Sequence, residues 1–387
     1  MASVIMMITM GVRQSTGLFV SPINTSTGLG IVNISLALAI AQISWGAIQP
    51  IAGAIADQYG PKPILMGGIL LLALGMGITP FMTSTLGLIF SMGLLTAIGS
   101  GSCSFSVLLG AAYQRLPKET HGKASGIING GSSFGQFIFA PISQKLIQSF
   151  GWINATWSLT CITLLALPLI NLMTRDSKVK EEKTNQKKST LKVIKRCIKN
   201  NSYIYLHLGF FTCGFHVAFL VTHLPMEISL CGLPSNVAGW SIAIIGLTNI
   251  FGSIYTGVLI NKYKSKYILA LMYVSRSLLI ILYLLAPKTE ITLYIFAAGL
   301  GLTWLATVPP TAAIVGKLFG VNYLGTLFGL TLFSHQIGGF LGAYLGGLAI
   351  NSYGNYYWMW FLDIILSFFA ALINLPIKER SIKLLDT

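Results

Sequence analysis

The sequence predicts an all-α membrane protein, with twelve transmembrane helices in two pseudo-symmetric six-helix bundles. Three observations carry this. Of 387 residues, 54% are hydrophobic and only 9% are charged, far from the balance of a soluble domain. The apolar residues fall in runs of about 20 or more, enough to cross a hydrocarbon core of about 30 Å as helix. A polar turn between two such runs also occurs twice. Gly53-Ala-Ile-Ala-Asp57-Gln58-Tyr59-Gly60-Pro61-Lys62 returns about 204 positions later as Gly257-Val-Leu-Ile-Asn261-Lys262-Tyr263-Lys264-Ser265-Lys266.

The predicted spans lie near 1–20, 33–56, 63–82, 86–113, 124–146, 155–173, 203–224, 236–260, 267–285, 291–316, 323–350 and 356–375. The alternating pattern of a membrane barrel is missing. The repeat reaches beyond the turn. Gly122, Gly126 and Gly135 recur as Gly325, Gly329 and Gly338, Ser149-Phe-Gly151 as Ser352-Tyr-Gly354, and Trp157 as Trp360. Three regions in register imply two homologous halves. Six is even, so the halves share one orientation in the membrane. The expected division is an N-terminal bundle over 1–174, a basic cytoplasmic linker over 175–199, and a C-terminal bundle with a short cytoplasmic tail over 200–387.

The net charge is +15, but its placement speaks against a nucleic-acid partner. With the N-terminus in the cytoplasm, the inside segments hold Lys62, Arg115, Lys118, Lys123, ten bases from Arg175 to Lys199, Lys262, Lys264, Lys266, Lys317, Lys378, Arg380 and Lys383. Outside segments hold Lys145 and Lys288. This is the positive-inside pattern, which sets both termini in the cytoplasm of a cell (inner) membrane protein in a lipid bilayer. Arg13 and Arg276 remain, both within spans. No cleavable signal peptide is evident ahead of the first span. The five cysteines have neither metal spacing nor a disulfide framework, so no metal and no cofactor are expected. There is no Walker loop to drive transport with ATP and no cluster of catalytic acids, so the chain does not read as an enzyme.

Twelve spans, a repeat of six plus six, a basic middle loop and the Gly-x-x-x-Asp-x-x-Gly-x-Lys turn resemble the major facilitator superfamily over nearly the whole chain. Gly11-Val-Arg13-Gln14-Ser15-Thr-Gly17-Leu-Phe19, Trp45-Gly-Ala-Ile-Gln49-Pro50 and Ser334-His335-Gln336-Ile-Gly338 are similar to bacterial monocarboxylate-porter-like members. The resemblance implies a secondary transporter that works by alternating access, with the first, fourth, seventh and tenth spans lining a central cavity. There are departures. Gln58 replaces the basic residue that commonly follows the turn's Asp, and the second turn has Asn261 and Lys264 for Asp and Gly. Animal-type monocarboxylate transporters carry an Asp/Arg pair in the eighth span, whereas Asn249-Ile-Phe-Gly252-Ser253 has neither. That puts proton-coupled lactate transport of that type in doubt.

Arg13 is the first candidate for substrate contact. A charge at mid-bilayer costs roughly 2.5–3.5 kcal/mol on insertion scales, so it should face a wet cavity or a partner. Its planar fork suits two carboxylate oxygens; the bland alternative is an arginine snorkelling to the interface. Further substrate contacts are expected at Gln14, Gln49, His216, Trp304, His335 and Gln336. His216 lies level with Arg13 by the repeat offset and can carry a proton. A hydrogen-bonded packing role is the competing reading for both His216 and His335. Gln42, Trp45 and Gln49 share one helical face, which meets either the cavity or the other half.

A second set of residues is expected to act in structure and gating. Arg276 and Asp363, in the ninth and twelfth spans, are expected to form an ion pair, with anion binding by Arg276 as the alternative. Pro309-Pro310 should kink or break the tenth helix near mid-membrane. Gly53, Asp57, Gly60, Lys62 and Asn261 belong to the two turns, with Asp57 latching one state. The glycine series Gly126/Gly130, Gly131/Gly135 and Gly338/Gly342/Gly346 are expected on the surfaces where the halves meet.

The four expected cavity spans hold no carboxylate. A basic, acid-free cavity favours a small anionic substrate. The expected function is therefore secondary transport of an organic anion, a monocarboxylate above all, by a monomeric symporter or antiporter. Protons are a candidate co-substrate. The alternative is an exporter of amphipathic drugs or metabolites on the same fold. A non-transporting sensor would usually need a sizeable soluble output domain, and none is visible.

Overall fold

The computed structural model describes residues 1–113, 117, 121–175, 194–320 and 324–380. The side chains of Asp57, Tyr113 and of residues 121–123, 125, 324 and 325 lie outside the described residues, as does 176–193, most of the expected linker. All regular structure among the described residues is helical. Twelve segments follow in order: α1 Ala2–Thr27, α2 Ile31–Tyr59, α3 Pro61–Ile78, α4 Thr85–Ala112, α5 121–150, α6 152–174, α7 Asn201–Leu230, α8 Ser235–Leu259, α9 Ser265–Leu285, α10 Glu290–Phe319, α11 Leu324–Tyr353 and α12 Tyr357–Asn374. A helix of 20 residues is about 30 Å long, the thickness of the hydrocarbon core.

The repeat seen in the sequence is a repeat in the backbone. Gly151, between α5 and α6, and Gly354, between α11 and α12, are both left-handed, with φ of 78° and 65°. Each closes a Ser-aromatic-Gly turn where a side chain would be strained. The opening turns are less alike. Gly60 has φ 84° and is followed by Pro61 at the first position of α3. Glycine ends one helix and proline, whose missing N–H is not needed there, begins the next. In the second copy Lys264 is extended, with φ −65° and ψ 130°. No glycine is needed in that geometry, and Lys264 fills the position without strain.

Three helices are interrupted near mid-depth. α1 tightens into a 3-10 turn at Thr16–Phe19, directly after Arg13 and Gln14. α4 contains a π stretch, Ile89–Thr96, and breaks at Cys103. α10 stops at Thr303 and restarts at Val308. Pro309 and Pro310 offer no N–H to the carbonyls four residues back, so the helix cannot run through them unbroken. The Val308 N–H turns instead to Leu305 O at 3.0 Å.

Within the first six segments α1 packs on α5; within the last six, α7 packs on α11 and α9 on α12. Between the two sets, α2 packs on α11, α5 on α8, and the 3-10 turn of α1 on α7. The glycine series corrects one expectation. A Cβ on Gly135 would stand 2.2 Å from Met7 O of α1, and one on Gly342 would stand 2.2 Å from Phe215 O of α7. Gly131 and Gly338 meet Ser3 and Phe211 in the same way. These stripes bring helices together inside a half, not across the halves. Small residues serve where backbones come closest, and α1·α5 and α7·α11 are such contacts.

Across the halves the close approaches are Gly347 on Ser35, Gly46 on Gln336, Gly239 on Gln144 and Gly246 on Ser133. Gly53, Gly126, Gly130, Gly257 and Gly329 lie on the same four helices nearer the termini, and nothing would come within 4 Å of a Cβ on any of them. The close approaches between the halves thus lie toward the end of these four helices away from the termini.

Candidate functional site

Arg13 stands halfway along α1, partly exposed. Its Nη2 donates to Gln42 Oε1 of α2 at 2.5 Å, and its guanidinium lies 4.3 Å from the Trp45 ring centroid. The fork has five N–H donors, and no carboxylate among the described residues pairs with it. A cation held by an amide and an aromatic face keeps its charge for something else. Gln42 also reaches Gly339 of α11, so the Gln42–Trp45 face meets the other half. Gln49, on the same face, is half-buried and bonds Trp45 O at 3.3 Å.

The other expected contacts divide. Gln14 is buried and donates to Ser132 Oγ of α5 at 3.5 Å. Gln336 is buried against Gly46 and its Oε1 has no partner. His335 bonds Gln336 at 3.2 Å and packs on Phe210 inside the C-terminal half. Trp304 is fully buried at the α10 break, its indole N–H unpartnered. His216 is fully buried, with its Nδ1 against Asp363 Oδ2 of α12. His216 and Trp304 are thus both fully buried within the C-terminal half. Helices α7 and α10 each show more than one face, and these two residues sit on the faces turned into their own bundle.

The expected Arg276–Asp363 ion pair is also corrected. Asp363 Oδ2 is held by His216 Nδ1 at 2.5 Å. Arg276, fully buried, spends its fork on the α10 break. Its Nη2 donates to Trp304 O at 2.6 Å and to Thr303 O, its Nε to Thr303 Oγ1 at 3.4 Å, and its Nη1 to Cys213 Sγ at 3.3 Å. The physical reason is supply and demand. Breaking α10 frees carbonyls that must be satisfied away from water, and a guanidinium is the one side chain with donors enough for several at once. No hydrogen bond or ion pair joins Asp363 to Arg276 among the described residues.

One residue of the site was missed. Asn249 of α8 donates to Ser133 Oγ of α5 at 2.7 Å, and its Oδ1 accepts the Leu305 N–H at 2.9 Å. It joins the two halves to the α10 break. A signal was present, since a buried amide in a membrane span must find partners. Beside it, Gln136 is buried with neither amide atom partnered.

Of the turn residues, Lys62 donates to Asn171 Oδ1 of α6 at 2.7 Å. Asn261 is exposed and bonds only Gly257 O of its own helix, at 3.4 Å. The Asp57 side chain lies outside the described residues. Among the described residues no group of His, Cys, Asp and Glu is placed to hold a metal.

A family model described as Major Facilitator Superfamily matches residues 2–343 and 231–385. The chain is 24% identical over 375 residues to the uncharacterized MFS-type transporter YcxA of Bacillus subtilis (strain 168), covering 94% of this chain and 90% of that one. It is 25% identical over 327 residues to monocarboxylate transporter 13 of Rattus norvegicus, covering 83% and 73%. It is 24% identical over 351 residues to the multi-drug resistance efflux pump PmrA of Streptococcus pneumoniae serotype 4 (strain ATCC BAA-334 / TIGR4), covering 88% and 84%. Its backbone is similar to the crystal structure of a D-xylose-proton symporter, with a TM-score of 0.78, 12% identity and 98% of both chains covered. That likeness speaks for the fold alone. The chain belongs to the major facilitator superfamily and is a multi-pass membrane transporter of that family.

Proposed function

We propose that the protein moves a small organic anion, a monocarboxylate, by alternating access between two six-helix halves, 1–174 and 200–387. The observation that carries this is Arg13, a partly exposed guanidinium at mid-span with an amide and an indole for company and no acid. Such a group attracts a carboxylate and can bind both of its oxygens. The similarity to monocarboxylate transporter 13 lends support. The positive-inside pattern puts both termini in the cytoplasm. Asp57 serves as a latch at the first turn. A thermal-shift screen of the purified protein tests the substrate class. Monocarboxylates should raise the melting temperature, their neutral amides should not, and Arg13→Ala should abolish the shift. Equal shifts with acid and amide would sink the reading.

A second reading, export of amphipathic compounds, is favoured by a cleft of about 400 Å³ lined by Met7, Ile127, Phe134 and Ile250 among others. The similarity to PmrA points the same way. Stabilisation by amphipathic cations but not by monocarboxylates would select it.

A further inference from the structure

Inside the C-terminal half, two titratable side chains from different helices touch with no exposure at all. His216 Nδ1 of α7 and Asp363 Oδ2 of α12 are 2.5 Å apart, each side chain fully buried. Their outer atoms, His216 Nε2 and Asp363 Oδ1, have no partner among the described residues. A packing pair in an apolar span would be expected to satisfy every polar atom. Here a donor or acceptor is left open on each side of a short contact.

The charges around the pair allow it two states. Arg276 of α9 is permanently cationic. With His216 neutral and Asp363 ionised, the pair carries one negative charge in the same half as the Arg276 positive charge, with no hydrogen bond joining the two among the described residues. In that state the Nδ1–H proton already lies between the two residues; a second proton from solvent, taken at the open His216 Nε2 or Asp363 Oδ1, makes the pair neutral and changes the charge that Arg276 faces. The other titratable groups facing this region are Cys213 of α7, Tyr273 of α9 and His335 of α11. Cys213 is within hydrogen-bond reach of both Arg276 Nη1 and Thr307 Oγ1, each at 3.3 Å.

The pair is also placed to be read. The His216 ring lies 5.9 Å from the ring of Trp304, the residue at which α10 breaks. Arg276 holds the Trp304 and Thr303 carbonyls. Asn249 ties the Leu305 N–H of the same break to α5 of the other half. A change in charge at Asp363 therefore alters what opposes Arg276, and Arg276 is what fixes the break.

We propose that His216 and Asp363 form a proton-binding pair that takes up one proton in one arrangement of the halves and returns it to solvent in another, with the α10 break transmitting its state to the interface. The pair is occluded in the present conformation, so exchange needs a different setting of α7 against α12. The proposal rests on the transporter reading but not on the identity of the substrate.

Infrared difference spectroscopy on the full chain in nanodiscs, titrated between about pH 5 and pH 9, tests it without a substrate. The wild type should show a pH-dependent change in the carboxyl or imidazole bands that is missing in both Asp363→Asn and His216→Gln. Spectra unchanged by either variant would overturn the proposal. His216→Gln keeps a donor for Asp363 and serves if Asp363→Asn does not fold. In vesicles, with radiolabelled lactate as probe, Asp363→Asn should cut pH-gradient-driven accumulation about tenfold and leave lactate–lactate exchange in place. Gradient-driven accumulation kept in Asp363→Asn would also overturn it. A wild type that moves no lactate would count against the monocarboxylate reading alone, and the infrared result would still decide the proton pair.

Discussion

Asn249 donates to Ser133 across the meeting of α8 and α5 at 2.7 Å, and its other amide atom accepts the Leu305 N–H at 2.9 Å. One side chain thus spans the contact between the halves and caps the break in α10. Motion of α5 against α8 cannot leave that break unaffected. Asn249→Ala strands the part-buried Leu305 N–H and the buried Ser133 hydroxyl, a loss of about 1–3 kcal/mol. Thermal unfolding in detergent should show it, together with slower transport. An Asn249→Ala protein as stable and as active as the wild type would remove the coupling role.

Arg276 should be among the most sensitive positions in the chain. Arg276→Ala leaves the Thr303 and Trp304 carbonyls without their donor and Asp363 without an opposing charge, and breaking such a buried network costs about 3–5 kcal/mol. Arg276→Lys keeps the charge but loses the fork, so it should cost less. Expression and melting temperature of the two variants check the order. If lysine and alanine are equally damaging, charge balance is not part of the role.

The contact between α5 and α8 can be locked. Gln148 Nε2 of α5 donates to Ser235 Oγ at the start of α8 at 2.8 Å. Gln148→Cys with Ser235→Cys should form a disulfide under oxidant, stop transport in vesicles, and recover with reductant. Continued turnover in the fully cross-linked protein would mean that this contact need not open.

The two turns should respond differently to substitution. Gly60 sits at φ 84° and ψ 161°, a region open essentially to glycine alone, so Gly60→Ala should cost about 1–3 kcal/mol. Lys264 is extended, and Lys264→Gly should cost only a few tenths. Asp57→Asn should impair cycling more than Asn261→Ala, because Asn261 bonds nothing beyond its own helix. Melting curves address the first pair and flux assays the second.

What the sequence disclosed, and what it hid, follows from the physics of a membrane chain. Span length and hydropathy disclose the helices, because backbone polar groups in lipid leave no alternative. The repeat was equally plain, and Gly151 and Gly354 show it in backbone angles. Helix faces were harder. Helices apolar on nearly every side carry little periodicity, so nothing in the pattern told that His216 and Trp304 are fully buried. Depth alone placed Arg276 opposite Asp363. Freed carbonyls at the α10 break claimed the guanidinium, and His216 took the carboxylate. Pro309-Pro310 announced the break, whereas the side chains that satisfy it come from α8 and α9, far away in sequence.

The central claim is that Arg13 is the counter-charge for an organic anion. Uptake of a radiolabelled monocarboxylate into vesicles containing the wild type, Arg13→Lys or Arg13→Ala tests it most directly. The account predicts saturable uptake by the wild type, weakened uptake with Arg13→Lys, which keeps the charge but not the fork, and uptake at background with Arg13→Ala. Wild-type rates of anion uptake by a folded Arg13→Ala protein would contradict it.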